Sequence, residues 1–214
     1  LESFSNKLAI FTSYVFHPLF MPINGLLIAY FCGRIPGFNT FSTAPDKNNA
    51  FLTLISVFIA TGIMPVIISI ILKKIKLISS LHMPKKEERM LPFLLTGTLY
   101  YGVIYLLSSK WKIPLDPLIY KFMFGATLAI IIGMLITFNW KISVHMIGIG
   151  GVVGIVTVIS KTGPDVLLYL LNVLIIIAGL IGFGRLQLKA HSFNQVIAGF
   201  LLGFSCEILI LLIR

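Results

Sequence analysis

Charge is scarce in this 214-residue chain: Asp, Glu, Lys and Arg together make up 11%, where a soluble domain carries about 25%. That deficit excludes an ordinary solvated fold, because too few ionised groups exist to clothe a surface. Acidic residues are the rarest, 7 against 17 basic ones, for a formal charge of +10. Cysteine is limited to Cys32 and Cys206. One lies near the end of the first apolar stretch and the other well inside the last, so a disulfide is not expected. Zinc-finger spacing, an RNP-like sequence and a glycine-rich phosphate loop are all missing, which removes the usual nucleic-acid and nucleotide readings of a basic chain. The opening LESFSNKLAI lacks a clear basic region and a small-residue cleavage site, so the first apolar stretch is expected to be retained.

What is present is apolar. Hydrophobic residues make up 57% of the chain and mean hydropathy is +1.00. Several stretches approach the roughly 20 apolar residues that span a bilayer. Spans are expected near 8–32, 51–72, 91–108, 117–138, 143–160, 166–183 and 192–213. The fold class is therefore all-α: a polytopic transmembrane helical bundle of six to seven membrane helices. The count turns on the first stretch, where Pro18 and Pro22 flank the region after His17 and prolines kink or divide a helix. The longest loop, GRIPGFNTFSTAPDKNN, follows it. No linker is long enough to separate two domains, so residues 1–214 are read as a single integral membrane domain.

Counting crossings puts the links at 73–91, 139–143 and 184–191 on one side of the membrane. His82, His145 and His191 fall on or beside that face, with Lys85, Lys86, Arg89, Arg185 and Lys189. His17, inside the first span, reads as a helix-packing residue. Three helices open at the same face, near Leu91, Ser143 and His191, and present free N–H groups and positive dipole ends there. Helix N-termini converging with Arg and His side chains suit a phosphate. Ser143 is placed to cap its helix, with a hydroxyl that could also bond a phosphoryl oxygen. His191, Gln195 and Gly199 stand at i, i+4 and i+8 on one helix face, so Gln195 can orient the His191 ring.

The run HMPKKEERMLP around Arg89, the tetrapeptide Ile142-Ser143-Val144-His145 and the spacing Gly184-Arg185-LQLKA-His191-SFN-Gln195 resemble, in this order, three signatures. They are those of the membrane type-2 phosphatidic acid phosphatases, a family that shares its site design with vanadium haloperoxidases. The resemblance covers roughly residues 82–200. It implies a phosphoric-ester hydrolase in which His191 is the nucleophile and forms a phosphohistidine. His145 would be the general acid. Arg89, Arg185, Ser143 and either Lys85 or Lys86 would bind the substrate phosphate. No cofactor and no metal is implied.

The first signature is the loosest, with His82 where the family has lysine and Pro92 three residues after Arg89 instead of one, and Ile142 replaces the family proline in the second; two further departures bear on the chemistry. Gln195 stands where the family has the aspartate that orients the nucleophile, and Val144 stands where it has a glycine beside the phosphate. Both fit a divergent enzyme. Both also fit an inactive relative that serves as a phospholipid-binding or structural subunit, and a transporter reading of the broken first helix ranks behind these two. The expected partner is a phosphorylated membrane lipid: phosphatidic acid, phosphatidylglycerol phosphate, a polyprenyl diphosphate such as undecaprenyl diphosphate, or a lipid A phosphate. The bilayer is the other partner, and nucleic acid is not one. A bacterial inner membrane is the expected location. The excess of Lys and Arg points the active face to the cytosol, whereas many bacterial members of the resembled family carry theirs in the periplasm.

Overall fold

In a computed structural model, the chain is described over residues 4–32, 47–81, 83, 87–113, 117–161 and 163–213. The loop at 33–46, His82, Lys85 and Lys86 lie outside those residues.

Two helices form the axis of the bundle, α7 (Val144–Ile159) and α9 (Phe193–Leu212). Their seam is built on glycine. A Cβ on Gly199 would stand 2.6 Å from the Ser143 carbonyl oxygen, and one on Gly203 would run into the carbonyl of Ile147. From the other side, a Cβ on Gly150 would meet the Phe200 carbonyl. Small residues four apart let two backbones approach where lipid supplies no hydrophobic drive. The contacts advance in step, Ser143 with Gly199 and Ile147 with Gly203, so the two helices run parallel and open at the same face. No described residue of α7 is fully exposed. Its 16 residues make about 24 Å of helix, less than the roughly 30 Å hydrocarbon core. It is sheathed by its neighbours, which sets its polar N-terminus back from the bundle surface.

Around this pair stand α2 (Met21–Cys32), α6 (Pro117–Thr137) and α8 (Val166–Gln187), with α5 (Glu87–Tyr105) packed on α6. Helices α3 (Lys47–Phe58) and α4 (Met64–Lys74) continue one another through a π-turn, Ile59–Ile63. Pro65, just beyond it, carries no N–H to donate back into that turn. A second π-turn, Leu106–Lys110, ends α5. Among the described residues, six helical stretches are long and apolar enough to cross a membrane, and Val144–Ile159 is a shorter apolar helix. The outward faces are apolar: Val173, Ile175, Ile176, Leu180 and Phe183 of α8 are all exposed. This is the distribution expected of a chain solvated by lipid.

The first stretch is broken, as its prolines require. Helix α1 (Phe4–Val15) stops before His17, a 3₁₀ turn runs over Pro18–Phe20, and α2 follows. Both ends of α1 touch the last turn of α8. Ser5 and Asn6 accept hydrogen bonds from Gln187, and Ser13 accepts one from Arg185. Helix α2 continues the stretch along α7, while α1 packs on the end of α8 and reaches the first turn of α7 through Ser13. Gly184 lets it pass, since a Cβ there would be 2.9 Å from the Thr12 hydroxyl.

Candidate active site

The link from α8 to α9 is closed by local chemistry. Lys189 takes a left-handed conformation, φ 50°. Ala190 N–H returns to the Arg185 carbonyl at 3.1 Å and Lys189 N–H to that of Leu186 at 2.9 Å. This is the Schellman pattern that ends a helix. His191 N–H reaches the same Arg185 carbonyl at 3.3 Å. The five-residue interval between Arg185 and His191 is thus the length of a helix stop, and it holds the two side chains at one place.

Helix α9 starts with a capping box. Ser192 takes the N-cap, and Gln195 at N3 accepts from Ser192 N–H through Oε1 at 3.1 Å. The same Oε1 lies 3.2 Å from His191 Nδ1. A backbone N–H can only donate, so this atom is the amide oxygen and Nδ1 must carry the proton. His191 Nε2 is left with its lone pair. Burial, then the charges of Lys141 and Arg185, hold the His191 pKa down to about 4 against the raising effect of the Gln195 bond. At neutral pH the ring is therefore uncharged and nucleophilic.

His145 occupies the first turn of α7. Its Nε2 lies 3.2 Å from the Ser13 carbonyl, which can only accept, so this nitrogen is the protonated one. Ser13 Oγ takes a hydrogen bond from Arg185 Nη1 at 3.1 Å. One residue of α1 therefore orients both a histidine and an arginine. Arg185 Nε is buried with no partner. His17 stacks edge-on to His145, ring centres 5.6 Å apart, and caps the 3₁₀ turn by accepting from Leu19 N–H at 3.4 Å.

Lys141 closes the mouth, its ammonium 2.7 Å from the Ala190 carbonyl. Desolvation, then Arg89 and Arg185, depress its pKa. Arg89 is anchored through Nε to the Met83 carbonyl at 2.8 Å. Arg89, Lys141, His145, Arg185 and His191 all line one cavity of about 630 Å³. Below them its wall is largely apolar, with Phe93, Phe122, Ala126 and Ile130, and carries Glu207. Val144 belongs to the wall. Ser143 is the N-cap by backbone position, but it makes no side-chain cap bond, is 0% exposed and leaves Oγ unpartnered; it is not among the lining residues. Gln195 stands behind His191, outside the lining. Among the described residues, no group of three or more His, Cys, Asp or Glu could hold a metal ion.

Of the residues expected from the sequence, the structure brings Arg89, His145, Arg185 and His191 together at one mouth, with Gln195 bonded to His191. Ser143 is adjacent in the chain but sealed, and Lys85 and Lys86 lie outside the described residues. Three contributors escaped the sequence reading: His17, Ser13 and Lys141. A histidine followed by proline at a helix break was the available signal for the first. A lysine four residues before His145 was the signal for the last. The carbonyl of Ser13 carries no sequence mark at all.

No family model matches the chain, and no curated protein or solved structure matches it either.

Proposed function

We propose that this protein is a membrane phosphatase that hydrolyses a phosphomonoester or diphosphate on a lipid through a phosphohistidine at His191. The observation that carries the proposal is the oriented pair. His191 is held with Nε2 free by Gln195, and it shares a cation-lined mouth with His145, Arg89, Lys141 and Arg185. An apolar cavity beneath suits the hydrophobic part of a lipid. The motif likeness to type-2 phosphatidic acid phosphatases assigns the same two histidines.

In the proposed reaction, His191 Nε2 attacks phosphorus and a P–N bond forms as the P–O bond to the lipid breaks. The leaving oxygen takes the Nδ1 proton of His145, which must enter this step as the imidazolium because its Nε2–H is held on the Ser13 carbonyl. Water then attacks the phosphohistidine, gives its proton to His145, and the P–N bond breaks to release inorganic phosphate. Arg89, Arg185 and Lys141 neutralise the equatorial oxygens, where preorganised charge lowers the barrier most. Gln195 replaces a charged orienting group by a neutral one, so it positions the ring without stabilising the cation electrostatically.

The substrate class is a phosphorylated membrane lipid of the phosphatidic acid, phosphatidylglycerol phosphate, polyprenyl diphosphate or lipid A type. The motif likeness also supports a bacterial inner membrane as the location. A second reading, a phosphate-lipid binding subunit without turnover, is favoured by the missing charge at Gln195. Phosphate release from a panel of lipid phosphates and diphosphates tests between them, with His191→Ala and His145→Ala proteins of verified fold alongside. Turnover lost in both variants is the expected result. Binding without turnover in the native protein would favour the second reading, and full activity in His191→Ala would overturn the first.

A further inference from the structure

Glu207 lies inside a long apolar run, and the proposed hydrolysis does not use it. It is 1% exposed, it lines the same cavity as the histidines, and neither carboxylate oxygen has a hydrogen-bond partner. It continues the Gly199–Gly203 stripe of α9 by one more step of four. Room for it is made by glycines of two other helices. A Cβ on Gly125 of α6 would stand 2.5 Å from Oε2, and one on Gly154 of α7 would stand 2.8 Å from Glu207 Cβ. Gly151 also faces it, and a Cβ there would be 3.6 Å from Oε1. These helices clear space around a carboxyl that none of them bonds.

Its depth follows from the register. Gly151 lies eight residues past Ser143, about 12 Å along α7, and Glu207 lies fourteen residues past Phe193, about 21 Å along α9, so the carboxyl stands well inside helices that would cross a hydrocarbon core about 30 Å thick. A polar group buried there without a partner is costly, and such groups are kept for what they bind or transfer. An apolar side chain would pack the same stripe without that cost.

We propose that Glu207 forms a second, deep subsite of the cavity, which takes a hydroxyl or amide N–H carried on the hydrophobic chain of the phosphorylated lipid. This rests on reading the mouth as the phosphate site. A free cation is a poor occupant, because it would have to pass Arg89, Lys141 and Arg185 and then shed its water between Phe93, Phe122 and Ile130. A neutral donor on a lipid chain meets no such barrier. It bonds a carboxyl in either protonation state, since both forms keep an acceptor oxygen. The subsite would select lipids whose chain bears a polar group between about 12 Å from the phosphate, by the register of α7 from Ser143, and about 24 Å, by that of α9 from His191, over plain acyl chains.

The test uses the purified full chain and two series of lipids of equal length, phosphates for turnover and non-hydrolysable phosphonates for binding. One member of each series is plain. The others carry a hydroxyl moved stepwise along the chain. Affinity and kcat/KM are expected to peak about tenfold above the plain lipid with the hydroxyl at one position between about 12 and 24 Å from phosphorus. Glu207→Gln, which keeps an acceptor, should retain the peak, and Glu207→Leu should flatten it. If Glu207→Leu does not fold, the position of the peak in the native protein still decides. A flat profile in the native protein overturns the subsite, even where phosphate is released. A peak in phosphonate affinity with no phosphate released from any lipid keeps the subsite and overturns the phosphatase reading.

Discussion

Replacing Gln195 by alanine removes one oxygen that serves two donors, His191 Nδ1–H at 3.2 Å and Ser192 N–H at 3.1 Å. Loss of the cap contact costs about 1 kcal/mol of α9 stability. Loss of the bond to the ring costs about 1 kcal/mol more and lets the imidazole rotate and change tautomer. The productive orientation then becomes one of several. A fall in kcat/KM of about 10- to 100-fold, or about 1.4–2.7 kcal/mol of barrier, is expected. Gln195→Glu keeps the geometry and makes the bond charge-assisted, roughly doubling its strength. It should raise the rate about tenfold above the native protein by stabilising the charged imidazole. Phosphate release in detergent, normalised to folded protein by size-exclusion and thermal melts, reads both variants. Native kinetics in a folded Gln195→Ala, or a Gln195→Glu as slow as the alanine variant, would refute the orienting role.

The pH profile gives a second check. In the proposed mechanism the attacking form of His191 is the neutral ring, and its pKa is lowered to about 4 from the ordinary 6.5. The acid limb of kcat/KM should therefore fall as pH drops through about 4, and a limb at the ordinary value would contradict the site's electrostatics. Lys141→Ala removes one of the charges that lowers this pKa and should move the limb upward. Gly203→Val should cost about 1–3 kcal/mol by overpacking, read as a lower melting temperature, because a side chain there meets the Ile147 carbonyl. Gly179→Ala, whose Cβ would meet nothing within 4 Å, should not lower it. Lys189→Gly relieves a left-handed residue at φ 50° and should stabilise by about 0.5–1 kcal/mol, seen in the same melts.

Much of this arrangement was legible because membrane solvation writes it strongly. Long apolar runs and short polar links mark spans whatever the packing, and parity alone put Arg89, His145 and His191 at one face. The i, i+4 interval joining His191 to Gln195 is a local rule of the helix, and the contact is present at 3.2 Å. What escaped depends on tertiary placement. Ser13 acts through its backbone carbonyl on His145 and through its hydroxyl on Arg185, 132 and 172 residues away in the chain. His17 looked like a packing residue because its helix reads as one span. The break at Pro18 sets His17 at the cap of the 3₁₀ turn, with its ring centre 5.6 Å from that of His145. Ser143 illustrates the opposite failure: its position before α7 reads as a cap, yet the close approach of Gly199 seals it from the cavity. Glu207 stood in plain sight as an acid within an apolar run, but its cavity and its glycine surroundings come from three helices far apart in sequence.

Trapping the intermediate tests the central claim most directly. A lipid carrying labelled phosphate is mixed with the protein, the reaction is stopped within the first turnover, and the labelled residue is located by peptide mapping. An acid-labile, base-stable label on His191, absent from His191→Ala and retained when Gln195 is glutamate, is the predicted result. Turnover with no label on His191, or with label on another residue, would contradict the phosphohistidine mechanism.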